Sequence, residues 1–372
     1  EPDTSLNLKV PLWLANVWPA LLLFIAFTWL ELGVGITTNP YATAVISLLM
    51  VVLATASLAF FQRKAFCRYF CPIGRTIGFY SQLAPIELRP INDDTCANCK
   101  TLDCYHGNDE VEPCPTWLVM GKLKQNSYCT SCGNCTQSCP HENIAWRLRS
   151  PSIEVLHSGR PHWDESWFML GLLALTGFHG LTMMTFWEGW MSQLAQKIGD
   201  SGQLLGSFTI GLLATLFAIG IIYTIFVEAT RRLTKTELPF KRIFSTFAFI
   251  SLPLAFAYHM AHNLNHLIRE GGGIGAVFLN PLGVDTLPLS MMEKHERHMN
   301  MWLSQDVLFA IQAGLMIFGF WIAIQVIRHR SQAILINAGR FAGLKLLPMI
   351  FFATGITCFH LWMLMQPMIM RM

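Results

Sequence analysis

Ten of the eleven cysteines lie between Cys67 and Cys139, and eight of them follow metal-cluster spacing. The run Cys129-Thr-Ser-Cys132-Gly-Asn-Cys135-x3-Cys139-Pro140 fits the C-x2-C-x2-C-x3-C-P pattern that holds cubane iron–sulfur clusters. Cys96-Ala-Asn-Cys99-x4-Cys104-x9-Cys114-Pro115 is a looser version of it. Three thiolates on one tight loop can cap three irons of a cubane, and the fourth, followed by a proline that turns the chain away, reaches the other cluster. This logic assigns Cys129, Cys132, Cys135 and Cys114 to one [4Fe–4S] cluster, and Cys96, Cys99, Cys104 and Cys139 to a second. Disulfides are disfavoured on a reducing face, and zinc sites rarely interleave two such sets.

Upstream, Cys67-x3-Cys71-Pro72 is flanked by Arg63, Lys64, Arg68 and Arg75. Cationic neighbours lower a thiol pKa, so the pair could be redox-active or hold a further metal; the alternative is a turn that docks the cysteine module on the membrane. Five of the twelve histidines fall in apolar stretches: His179, His259, His262, His266 and His360. Polar groups at that depth are costly and point to function. His259, His262 and His266 share one helix face, and His179, His262 and His360 sit at similar depth. Neutral imidazoles on facing helices suit one or two haems b, paired as His179 with His262 and His360 with His259 or His266; satisfied packing histidines are the plainer reading. A quinone site lined by such histidines and by Glu31 is a further reading, with Glu31 as a snorkelling interfacial carboxylate the alternative. Cys358 reads as core packing.

The elements that must position these groups are membrane helices. Of 372 residues 53% are hydrophobic and 13% charged, which excludes an ordinary soluble enzyme. Seven stretches are long and apolar enough to span: 12–32, 43–61, 167–187, 205–227, 243–268, 307–327 and 344–368. Tryptophans near their ends suit interfacial anchors, and Pro253 and Pro348 are tolerated where neighbours satisfy the freed carbonyls. The side of the membrane holding the cysteines carries 21 Lys and Arg against 5 on the other, which places the module on the cytoplasmic face of the inner membrane. Glu1 then lies on the same side, and the chain is expected to continue upstream. The net charge of +3, without a basic block, gives no case for nucleic acid. The outer loop ends in Met291-Met292-Glu293-Lys294-His295-Glu296-Arg297-His298-Met299-Asn300-Met301-Trp302, which suits copper(I), an axial haem contact, docking of a periplasmic cytochrome or an amphipathic interfacial segment. There is no Walker motif, no G-x-G-x-x-G after a strand and no C-x-x-C-H.

Cys67-x3-Cys71-Pro72 at a membrane edge, followed by the two cysteine runs, resembles the membrane polyferredoxin group, which includes the NapH-type subunit of periplasmic nitrate reduction, NosR-type proteins and CcoG-type oxidase-assembly proteins. The likeness covers roughly residues 45–150. It implies electron transfer among the quinone pool, cytoplasmic-side clusters and a periplasmic cytochrome or reductase. This chain departs from the group in having one C-x3-C-P motif where relatives often have two, and in adding five spans. The expected architecture is mainly α: a polytopic helix bundle of about seven spans with an inserted small α+β two-[4Fe–4S] ferredoxin-like domain. Its parts are two helices (1–66), a membrane-edge connector (67–90), the ferredoxin-like domain (91–150) and a five-helix domain (151–372). The expected role is an electron-transfer subunit of a larger membrane redox complex. Rival readings are an assembly factor that reduces copper or thiols, and a redox-sensing regulator.

Overall fold

The computed structural model describes residues 5–36, 39–200, 202, 204–287, 290, 292–293, 303–335 and 342–367. The chain runs α1 (Trp18–Leu32), α2 (Pro40–Phe60), a π-helical turn (Phe66–Phe70), α3 (Pro72–Tyr80), β1 (Ile86–Pro90), α4 (Asp93–Asn98), α5 (Asp103–His106), α6 (Asn134–Gln137), β2 (Ile144–Leu148), a second π-helical turn (Glu154–Ser158), α7 (Trp163–Thr182), α8 (Trp187–Ile198), α9 (Leu205–Thr234), α10 (Phe240–Phe247), α11 (Ser251–Glu270), α12 (Ile274–Leu279), α13 (Gln305–Arg330) and α14 (Leu347–Met365). Among the described residues five segments are long and apolar enough to cross a membrane: Pro40–Phe60, Leu205–Thr234, Phe240–Arg269, Gln305–Arg330 and Gly343–Met365. The chain is therefore a mainly α-helical, multi-pass membrane protein.

Local chemistry sets the helix ends. The Asn39 side chain accepts from the Tyr41 and Ala42 amides, with Pro40 at the first helical position, so α2 starts there. Ser304 caps α13 through Val307, and Arg231 and Arg232 occupy the last turn of α9, where cations favour the dipole. Two of the seven expected spans differ from the five. The segment 12–17 forms turns, so α1 has only 15 residues. α7 has 20 residues but carries Asp164 and Glu165 in its first turn and His179 in its last. It is the inner helix, with Phe168, Met169, Leu172 and Leu173 fully enclosed against α1, α9 and α11. The stretch expected as one span over 243–268 is α10 and α11 joined by a 3₁₀ turn at Ala248–Ile250, with Pro253 in the first turn of α11, where the missing amide matters least. Gly271–Gly273 forms a 3₁₀ turn. Most of the Met291–Trp302 segment lies outside the described residues. Cys358, expected in the core, is exposed, whereas His360, two residues along the same helix, is buried. Residues two apart face different sides of a helix.

α11 and α13 make the most extensive helix contact among the described residues, and Gly319 lets them approach. A Cβ there would stand 2.8 Å from the Pro253 carbonyl oxygen, so only glycine allows this approach. Gly319→Val is expected to destabilise the protein by about 1–3 kcal/mol through overpacking, read as a lower thermal midpoint in detergent.

The cysteine module is fastened at its two ends. β1 and β2 pair antiparallel, Ile86 opposite Leu148, so the chain leaves and re-enters the membrane domain at one place. Beneath them Glu87, Arg89, Arg147, Arg149 and Glu154 form an ion-pair network. Arg330, from the end of α13, lies over the Phe249 ring and donates to the carbonyls of Glu154, Val155 and Gly159. Those bonds tie the end of α13 to the second π-helical turn and to Gly159 just beyond it.

Candidate functional site

The eight cysteines of the two runs gather into two groups. Cys96, Cys99, Cys104 and Cys139 line one small cavity, and Cys114, Cys129, Cys132 and Cys135 line another. The separation is the one the spacing implied: each group takes three thiols from its own run and one from the other. Leu88, Met120, Cys135 and Ile144 form a small core on which Cys104 and Cys139 pack. Backbone conformation makes the loops possible. Ser131 and Gly133 adopt positive φ beside Cys132, as does Leu102 between Cys99 and Cys104. A Cβ on Gly121 would stand 2.6 Å from the Cys96 Cβ. Amides point at sulfur: Asn143 N to Cys139 Sγ at 3.4 Å, Asn143 Nδ2 to Cys96 Sγ at 3.3 Å, and Leu118 N to Cys114 Sγ at 3.3 Å. Converging thiols with N–H donors aimed at sulfur suit thiolate-ligated iron–sulfur cubanes, whose potential such bonds tune.

Cys67 and Cys71 sit at the junction of module and membrane domain. Cys67 is in the first π-helical turn, and Cys71 caps α3, its sulfur accepting from the Gly74 amide at 3.3 Å. Burial, and then the neighbouring Cys71, push the Cys67 thiol up, outweighing the pull of Lys64 and Arg75. This reverses the lowering expected from the cations alone. The cations serve docking instead. Arg63 Nη1 donates to the Cys114 carbonyl at 2.9 Å, the Lys64 amide to the Pro115 carbonyl at 3.0 Å, and Arg68 to the Thr116 carbonyl. Arg75 is buried and donates to the Ser127 carbonyl at 2.9 Å, two residues before Cys129. From α7, Glu165 accepts from the Tyr128 hydroxyl at 2.6 Å. The Cys114 and Cys129 ends of one thiol group are thus held directly by the membrane domain.

α3 carries the connection inward. Pro72, Ile73, Thr76, Ile77 and Tyr80 line one wall of an open-sided cavity of about 720 Å³, flanked by α1 and α2 and reaching Glu31 and His259. Its lining is almost wholly apolar apart from Tyr80, His259, Glu31 and a few hydroxyls. The Tyr80 hydroxyl lies 3.3 Å from His259 Nδ1. Tyr80 escaped the sequence reading; nothing but its place nine residues beyond Cys71 marked it.

The five membrane histidines do not act together. His259 turns to Tyr80. His360 stacks on Tyr258 with centroids 4.1 Å apart and lies against Gly177. His179, His262 and His266 converge, their ring nitrogens within 4.8 Å of one another. A haem b between His179 and His262 needs ring centroids about 6 Å apart, from metal–nitrogen bonds of ~2 Å on either side. The centroids are 5.0 Å apart, and His266 Nε2 stands 3.2 Å from the His262 Nε2 that an iron would take. As placed, the His179–His262 pair does not leave the spacing that two axial haem ligands need, and His360 is not set facing His259 or His266 among the contacts described.

The site and fold define a multi-pass membrane protein with a docked, cysteine-rich module. Over 133 residues, 35% of this chain, the sequence is 31% identical to "Putative electron transport protein YccM" of Escherichia coli (strain K12), covering 34% of that protein. Over 113 residues, 30% of this chain, it is 31% identical to the uncharacterized protein MJ0750 of Methanocaldococcus jannaschii, covering 42% of it. The chain thus spans less than half the length of these curated relatives. No family model and no solved structure matches it.

Proposed function

We propose that this chain is an integral membrane electron-transfer subunit that passes electrons between quinol in the α1–α2–α3 cavity and two [4Fe–4S] clusters. Cys114, Cys129, Cys132 and Cys135 hold the nearer cluster, and Cys96, Cys99, Cys104 and Cys139 the farther one. Bound there, the clusters supply one-electron steps. The observation that carries the reading is continuity: the helix lining the cavity begins at Cys71, and the turn before it, with Cys67, is bonded to the Cys114–Thr116 backbone. An apolar cavity with a few convergent polar groups is the form of a small-molecule site. Oxidation of a quinol releases two protons as well as two electrons. His259 Nδ1 and the Tyr80 hydroxyl, at the inner wall, can take and orient one proton. Glu31 stands at the other end of the cavity for its exit.

The excess of Lys and Arg on the module's side supports a cytoplasmic position in the inner membrane, with a seven-helix bundle as the span count. The likeness to a protein named for electron transport supports the same class. The further partners are other subunits of a membrane redox complex and a periplasmic cytochrome or reductase.

Quinol-driven cluster reduction is the test, followed by low-temperature electron paramagnetic resonance. Tyr80→Phe and His259→Gln are expected to slow it by about 10² or more, the usual worth of a positioned proton acceptor, with iron content unchanged. Wild-type rates in both variants would remove the cavity from the path.

A further inference from the structure

We propose that His179, His262 and His266 form a mononuclear metal site in the membrane domain, and that its ion is copper(I). It is separate from the quinol path, because His259 faces the other cavity. His262 and His266 are one turn apart on α11, and their Nε2 atoms are 3.2 Å apart. His179 enters from the last turn of α7, and all three ligand nitrogens lie within 4.8 Å of one another. An ion with metal–nitrogen bonds of ~2.0 Å needs neighbouring nitrogens about 3.3–3.5 Å apart in tetrahedral or trigonal geometry. The α11 pair, at 3.2 Å, is close to that spacing, and His179, within 4.8 Å of both, completes the set by an inward movement of its ring.

Two further observations separate this from three packed histidines. His262 is 4% exposed, and its Nδ1 has no hydrogen-bond partner among the described residues. An imidazole buried with one nitrogen unpartnered is costly as packing alone, and an ion bound at Nε2 would offset that cost. The backbone around the triad is also fixed. α7 meets α11 at Gly180, where a Cβ would collide with the Tyr258 hydroxyl, and the Thr182 hydroxyl donates to the His179 carbonyl at 2.8 Å. Preorganised ligands on packed helices are what a metal site requires.

The choice of ion follows from charge. The group consists of three imidazoles and includes no carboxylate or thiolate among the described residues. The cost of taking an ion out of water rises with the square of its charge, so burying a divalent ion here costs about four times as much as a univalent one. Imidazole suits zinc, copper, iron and nickel, and among these copper is readily stable as a univalent ion.

The test uses the full chain in detergent with its iron measured alongside, so that empty cysteine sites are not counted. Cuprous ion is supplied anaerobically as its acetonitrile complex and then competed with bicinchoninate. One copper per chain is expected to survive, with X-ray absorption showing about three nitrogen neighbours at ~2.0 Å. His262→Ala and the more conservative His266→Gln should each weaken retention by 100-fold or more without loss of iron. Copper held equally by both variants, no stoichiometric copper, or zinc that cuprous ion fails to displace would each overturn the proposal. So would a pyridine haemochromogen signal that disappears in His179→Ala. Quinol-driven cluster reduction in the same preparation reports on the electron path separately.

Discussion

Replacing Cys135 with alanine is expected to remove one cluster and spare the other, with iron and sulfide falling from about eight to about four of each per chain. Cys135 is 6% exposed, at the centre of its group. Burial, and then Cys129, Cys132 and Cys114, push its thiol up to about 12. The three neighbouring thiols oppose ionisation of Cys135, and a metal cluster is what makes its deprotonation favourable. The metal-free protein therefore holds protons that cluster insertion must release. Insertion is accordingly expected to grow more favourable as pH rises from 7 toward 9, and the Cys135→Ala protein to show a smaller dependence because fewer thiols titrate. Because this group is bonded to the membrane domain through Arg63 and Arg75, its loss should stop quinol from reducing the remaining cluster, while dithionite still reduces it from solution. Quinol reduction that persists at the wild-type rate in Cys135→Ala would mean that electrons enter through the Cys96 group instead.

How much of this was legible in the sequence follows from how far apart the relevant residues lie. Cluster ligation is written in short spacings, so the division of eight cysteines into two groups can be read from two runs and their prolines. Helical spans are legible because apolar length is itself the physical requirement. Charge in the first turn of α7 and the turns at 12–17 show where length alone misleads: an inner helix is buried by protein, and need not be uniformly apolar. Of the five histidines read as lying within spans, His262 and His360 are buried and the other three half-buried, and their partners depend on helix crossings. His259 and His262 share a face of α11, yet the first meets Tyr80 of α3 and the second His179 of α7. Cys67 shows the same limit electrostatically. Its cationic neighbours are visible in the sequence, whereas the burial that outweighs them is not.

Glu154→Ala is expected to be among the most destabilising single changes in the chain, costing about 3–5 kcal/mol by leaving buried charge unpaired. Glu154 has a side chain only 1% exposed and stands between Arg89 and Arg149, themselves 7% and 5% exposed. Its Oε1 accepts from both guanidinium groups, at 2.6 Å from Arg89, and its Oε2 accepts from the Asn126 amide at 2.7 Å. With it removed, Glu87 alone must balance Arg89 and Arg149 as well as Arg147. Arg147 is half-exposed and can turn to water, but the other two cannot. The change also frees the Asn126 amide, three residues before Cys129, so the damage should travel to the cluster loop. The thermal midpoint is therefore expected to fall together with faster iron release from the Cys114 group, and slower release from the Cys96 group. Glu154→Gln keeps an acceptor for Asn126 and should lose less, about 1–3 kcal/mol. Arg89→Met combined with Glu154→Leu should cost less than the sum of the single changes, because the pair then leaves together rather than stranding a charge. Equal iron release from both groups in Glu154→Ala would show that the network steadies the module as a whole and gives no special support to the loop next to the membrane.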